Sequence, residues 1–244
     1  CGPRLSTRRY VSRPCCSRRT NYYPFHCPGA IEYIARELGR PVPQPDYGEV
    51  SKVSPTDEIV RLLRKRYPDW DGFDHAAFVK DEIDYKRAAA AKAAELLGET
   101  ELRRLLDENR SDEILQRLEK VAEATNLLYR SVPRAGDLAI LHQPDQDSVA
   151  IARAVVDLLH GDGDTFDRID RFAGWAREKG LPCKWPFVTY FLFLLKPASE
   201  IFIKPERTRR FLSLIGSDIE LSAEVSGQAY AAIRDLVSQV LAEL

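Results

Sequence analysis

Methionine is missing altogether from this 244-residue chain, where ordinary usage would supply about five. An intact mass of 27.7 kDa is what that absence predicts. A long apolar run is missing too. The longest covers residues 187–195, nine residues with Thr189 and Tyr190 included, whereas a membrane-crossing helix needs about 20, so no membrane partner is expected. Histidines are few, and His26, His75, His142 and His160 are too scattered to form an obvious group for nucleophilic catalysis. No GxSxG, Walker A or GxGxxG motif occurs, and no cofactor is expected. A dominant charge is lacking as well, with 36 Lys+Arg against 37 Asp+Glu and a net charge of -1. At 44% hydrophobic and 30% charged residues, the mixture excludes a collagen, a low-complexity chain and a disordered acidic tail.

What is present divides the chain unevenly. Cys1, Cys15, Cys16, Cys27 and Cys183 are odd in number and lack the spacing of a disulfide framework. The N-terminal stretch also lacks the apolar core of a secretory signal. A reducing, cytoplasmic setting is the expectation. The first 30 residues carry Arg4, Arg8, Arg9, Arg13, Arg18 and Arg19 and no acid before Glu32. They read as a basic arm for phosphates, as an Arg-rich targeting segment, or as an irregular extension packed on the domain. Residues 1–50 are therefore taken as an irregular basic extension, and 51–244 as a helical domain.

Helix signals fill that domain. Ser54-Pro55-Thr56-Asp57 combines a capping residue, a first-turn proline and an acid. Asp74 opens an alanine-rich run that Gly98 stops. From Ser111, the residues Ile114, Leu115, Leu118, Val121, Ala122, Thr125 and Leu128 keep the 3.6-residue period. Further helices are expected at 148–160, 166–179, 205–216 and 226–244. Residues 138–141 and 201–203 are the strand candidates. Residues 187–195, bounded by Pro186 and Pro197, read as a buried helix because Phe187, Tyr190, Phe191 and Leu194 share a face. The expected fold class is mainly α, a multi-helix bundle-like domain with at most a few short strands.

Charge is segregated along this domain. Residues 181–216 hold six basic and two acidic side chains, whereas 217–244 hold one basic and five acidic. In the basic stretch Trp185, Phe187, Tyr190, Phe191, Phe193 and Phe202 interleave with Lys184, Lys196 and Lys204. Pro205 then starts a helix carrying Arg207, Arg209 and Arg210, with Lys204 just before its N-terminus. A helix N-terminus attracts phosphate, and a basic rim beside an aromatic floor is how single strands and flipped bases are held. Lys184, Trp185, Lys204, Arg207, Arg209 and Arg210 are thus the candidate phosphate-binding set. The structural alternative makes the aromatics core and the arginines a solvated face, with Trp185 either stacking on a ligand or anchoring the interior.

The phrases Lys184-Trp185-Pro186-Phe187-Val188-Thr189-Tyr190-Phe191-Leu192-Phe193-Leu194, Ile201-Phe202-Ile203-Lys204-Pro205 and Ala124-Thr125-Asn126-Leu127-Leu128-Tyr129-Arg130 resemble a family of uncharacterised bacterial helical proteins. Some of its members accompany restriction or defence ATPases. The resemblance covers roughly residues 55–244. It implies a helical fold and a leaning toward nucleic acid, and it brings no catalytic residues with it.

Other patterns compete. Pro68-Asp69 with Asp84-Tyr85-Lys86 matches the bare PD…(D/E)xK arrangement of metal-dependent nucleases. Those enzymes put the second acid and the lysine on a strand, whereas here both fall in a helical run. Cys15, Cys16, His26 and Cys27 could ligate zinc, although adjacent ligands suit it poorly. Asp162, Asp164 and Asp167 lack the Gly and Glu of a calcium loop and read as a polar interhelical turn. Neither set is taken as a metal site. Asn126 and Arg130, one turn apart if helical, read as a satisfied polar pair or a recognition pair. The sequence thus predicts a cytoplasmic bacterial protein that binds nucleic acid through 184–210. A helical protein-interaction module is the alternative, and a metal-dependent nuclease the third reading.

Overall fold

The computed structural model describes residues 54–144 and 147–244, all within the compact unit Lys52–Leu244. The basic arm and the Cys15, Cys16, His26, Cys27 group lie outside the described residues. Among the described residues the regular structure is helical, with no strand.

Helix α1, Pro55–Arg66, starts after Ser54 with proline in its first turn and acids at Asp57 and Glu58 as expected, but the Ser54 hydroxyl does not cap it and meets the Thr56 hydroxyl at 2.6 Å instead. The alanine-rich run opens one residue later than Asp74 suggests, because the His75 ring nitrogen accepts the Phe78 N–H. A short turn, Ala76–Phe78, passes into a π-helical turn, Val79–Ile83, before α2 proper, Asp84–Leu96. Helix α3, Glu99–Asp107, is one that the periodicity does not announce. Gly98 both ends α2 and precedes α3, so the stop signal masks a start. Asn109 closes α3 at φ 59°, a left-handed position that Asn tolerates better than most residues.

Helices α4, Ser111–Ala122, and α5, Ser148–His160, each bury a stripe, including Ile114, Leu118 and Val121 on the first and Ile151, Val155 and Leu159 on the second. Thr125 and Leu128 keep the periodic burial of α4 although the helix has already ended at Ala122. Residues 123–130 are irregular, so Asn126 and Arg130 are not helical neighbours. Gly163, at φ +85°, makes the turn into α6, Thr165–Glu178.

Helix α7, Trp185–Leu195, is buried on nearly every side, as expected of the apolar run between Pro186 and Pro197. At about 1.5–3 kcal/mol for each large apolar side chain removed from water, it is the densest source of stability in the fold. It lies between α2 and α5; α4 packs on both of those, and α6 packs on α5. Helix α8, Pro205–Leu214, follows an extended segment, and α9, Gly227–Glu243, packs on α6. That last contact needs a glycine. A Cβ on Gly227 would overlap the Phe166 carbonyl oxygen, and the Gly227 N–H donates to Asp170 Oδ1 at 2.7 Å.

Neither strand candidate becomes a strand. Residues Leu138, Ala139, Ile140 and Leu141 are all buried, and Ala139–His142 forms a 3-10 turn. A two-faced strand exposes alternate residues to different neighbours, while this short apolar plug sinks whole into the core. Residues 201–203 are extended but have no neighbouring strand. Side-chain hydroxyls replace the ladder: Ile201 N–H donates to Tyr230 Oη at 3.0 Å and Ile203 N–H to Thr189 Oγ1 at 2.9 Å.

Candidate functional site

The six residues of the candidate phosphate-binding set do not form one surface. Trp185 is 1% exposed, and its indole N–H donates to the Ser222 carbonyl at 3.0 Å. It therefore takes the core-anchoring role, and its ring is not available for stacking on a ligand. Lys184 precedes α7 and donates to the Ala135 carbonyl. Arg209 donates to the Leu221 carbonyl at 3.1 Å, and Arg210 pairs with Glu206 at 2.7 Å. These three cations secure loops or their own helix. Phe187, Tyr190 and Phe191 are buried with Trp185.

Lys204 and Arg207 belong to a different place. They share a cleft of about 790 Å³ with Arg66, Glu82, Lys86 and Asn126. Its floor includes Phe193, Phe202, Phe211 and Val237, all half-buried, and the exposed Leu241. Phe193 and Phe202 are near-parallel, with ring centres 6.5 Å apart. Lys204 stands at the N-terminus of α8, before Pro205, and its Nζ donates to the Leu127 carbonyl at 2.9 Å. Arg207 is exposed one turn into α8 and has no partner among the described residues.

The opposite wall comes from far away in sequence. Arg66 is the last residue of α1, where a cation complements the helix dipole. Its Nη1 lies 3.0 Å from Glu82 Oε1, while Lys86 Nζ lies 3.5 Å from Glu82 Oε2. Glu82 stands on the π-helical turn, a distortion that recurs at functional sites. Arg66 lies over the Tyr67 ring at 5.3 Å and Lys86 over the Tyr85 ring at 5.2 Å, so aromatic faces help to aim both cations. Burial raises the pKa of the Tyr67 hydroxyl, which stays protonated and donates to Asp81 Oδ2 at 3.4 Å.

Beneath the cleft lies a buried polar chain. Glu200, 6% exposed, accepts from Thr165 Oγ1 at 2.6 Å and from Tyr230 Oη at 2.7 Å. Burial, reinforced by the bond to Glu200, pushes the Tyr230 hydroxyl pKa far up, keeping it a donor. Arg168 reaches the same Thr165 hydroxyl at 2.8 Å and the Gly161 carbonyl at 3.1 Å. These bonds fix the segment that carries Phe202 and Lys204.

The remaining candidates are dispersed. Asp84 and Lys86 both lie in the first turn of α2, Asp84 pairing with Arg87 and Lys86 with Glu82, and Asp69 is exposed elsewhere. Among the described residues no three His, Cys, Asp or Glu side chains are grouped to hold a metal ion. The Asp162 carbonyl is engaged by Arg171, which also pairs with Asp157. Arg130 is 3.9 Å from Glu123. His160 donates through Nε2 to the Leu97 carbonyl at 2.7 Å, and burial lowers its pKa, so a neutral ring joining two helices accounts for it. Burial pushes the Cys183 thiol up to about 11, the opposite of an activated nucleophile. No helix among the described residues is long and apolar enough to cross a membrane. No protein-family model, no curated protein and no solved structure matches this chain.

Proposed function

We propose that this protein is a binding module for single-stranded nucleic acid, held in the cleft between α1, α2 and α8. The observation that carries the reading is the meeting of Arg66, Lys86, Lys204 and Arg207 around the half-buried rings of Phe193 and Phe202. Cations that track a backbone, beside rings on which bases stack, are the common physical basis of single-strand binding. The resemblance of residues 184–194 and 201–205 to bacterial proteins that accompany defence ATPases agrees with it. A cytoplasmic place in a bacterium belongs to the same proposal.

A second reading has its own support. Phe211, Val237 and Leu241 extend the floor with apolar surface, which suits the apolar face of a partner helix. Salt separates the two. A single strand contacting four cations loses affinity with a slope of log K against log salt of about -2.8, and removing one contact flattens it by about 0.7. Fluorescence anisotropy with labelled oligothymidylate and oligouridylate, on wild type and Arg207→Ala, reads that change. Absence of binding to either oligonucleotide at low salt overturns the nucleic-acid reading and leaves the interaction module.

A further inference from the structure

Glu82 occupies an unusual position for an anion-binding cleft. Its two carboxylate oxygens are divided between two cations from different helices, Oε1 to Arg66 and Oε2 to Lys86. A phosphate group offers its two non-bridging oxygens in a similar bridging manner. Lys204 and Arg207 line the same cleft, and Arg207 has no partner of its own. The cleft therefore holds a carboxylate where an incoming phosphate would find its two opposed cations.

The turn that carries Glu82 is suited to moving it. The Asp84 N–H bonds back to the Val79 carbonyl across the π-helical turn, where one extra residue widens the coil. The Glu82 carboxylate is itself partly exposed, at 28% of its side-chain surface, so it can swing toward water without crossing the core. A partly exposed ion pair of this kind holds only weakly.

We propose that Glu82 is a built-in competitor for the phosphate of the bound strand. It keeps Arg66 and Lys86 together in the free protein and leaves when a phosphodiester bridges them instead. This rests on the nucleic-acid reading above and adds which subsite receives the phosphate and what regulates access to it.

The test is Glu82→Gln, with Glu82→Ser in parallel so that a folding failure of one leaves the other to decide. Both are checked by far-UV circular dichroism and titrated with labelled oligothymidylate at several salt concentrations. Removing the competing charge is expected to tighten binding up to about fivefold, the range a partly exposed ion pair allows, and to leave the salt slope unchanged because the same phosphate contacts form in the complex. Adding Arg66→Ala and Lys86→Ala to Glu82→Gln should abolish the gain. Binding by wild type that Glu82→Gln leaves equal or weaker overturns the competitor while sparing the nucleic-acid reading. An equally large gain from Glu82→Gln when it is measured within an Arg66→Ala/Lys86→Ala background also overturns it, because loss of one negative charge would then act without the two cations. Binding by neither wild type nor variant removes both proposals together.

Discussion

Replacing Trp185 distinguishes a core anchor from a ligand platform, because the two roles respond to different assays. The ring is 1% exposed and its N–H is committed to the Ser222 carbonyl at 3.0 Å. In Trp185→Phe the hydrogen bond is lost, at a net cost of about 0.5–1.5 kcal/mol, and the smaller ring leaves part of the site unfilled. Together these come to about 2 kcal/mol. Trp185→Ala leaves the whole site empty and should cost about 3–5 kcal/mol. For a folded unit of this size each kcal/mol lowers Tm by about 2–4 °C, so the phenylalanine variant should melt about 4–8 °C below wild type and the alanine variant lower still. Urea titration monitored by circular dichroism gives the same ranking without reliance on reversible heating. Below its melting range, Trp185→Phe should bind oligothymidylate as wild type does, since the ring does not line the cleft. Wild-type melting combined with lost oligonucleotide binding would refute the buried assignment and return Trp185 to the ligand.

Two further outcomes follow from the polar contacts. Thr189 Oγ1 accepts the Ile203 N–H at 2.9 Å and donates to the Trp185 carbonyl at 2.8 Å; Thr189→Val strands that buried N–H and should cost about 1–3 kcal/mol in urea unfolding, and an unchanged midpoint would show that the Ile203 N–H has another partner. Acid should lower stability at the α3–α4 surface, because hydrogen bonds from Arg104, then Arg117, hold the Glu101 carboxyl down from 4.5 to about 2, and Arg104 also lowers Glu108. Carboxyls with depressed folded pKa values contribute stability above their unfolded pKa and lose it as pH falls through the folded one, so the urea midpoint should drop between about pH 4.5 and 2 and Arg104→Ala should shrink that drop; equal pH profiles for variant and wild type would refute the assignment.

The fold is legible where one local force decides the outcome. Pro55 with the acids Asp57 and Glu58 marks the start of α1, α5 is bounded as its apolar period indicates, and the run between two prolines is a buried helix because nearly every side of it is apolar. Legibility fails where two signals share a residue or where long-range contacts substitute for a local rule. Gly98 is both an end and a beginning, so α3 goes unread. Residues 201–203 have the composition of a strand and its extended shape, yet Tyr230 and Thr189 satisfy their N–H groups with hydroxyls. Strand composition reports what fits an extended, half-buried backbone; it does not report whether another strand is there.

The cleft shows the same limit more sharply. Charge counting finds the basic stretch 181–216, but it cannot tell a cation that faces a ligand from one that ties down a carbonyl. Lys184 and Arg209 meet carbonyls and Arg210 meets Glu206, so with Trp185 four of the six candidates are engaged in holding the fold, and Lys204 also meets a carbonyl, that of Leu127. Lys86 is visible in the sequence only as the third residue of a nuclease-like pattern, where it would steady a water; in the fold it faces Arg66 across Glu82. Nothing in the separation of those residues along the chain announces the pairing, because it depends on where α1 ends and on the π-helical turn before α2. Phe193, Phe202 and Phe211 are the aromatics that reach the cleft, whereas Phe187, Tyr190 and Phe191 turn into the core. The helical period separates these faces of α7 only once Thr189 and Tyr230 have fixed where the 201–203 segment lies, since that segment brings Phe202 alongside Phe193. The recognition surface is thus assembled by the same buried hydroxyls that replace a strand ladder, and a change at either should be felt in the cleft before it is felt in the helices.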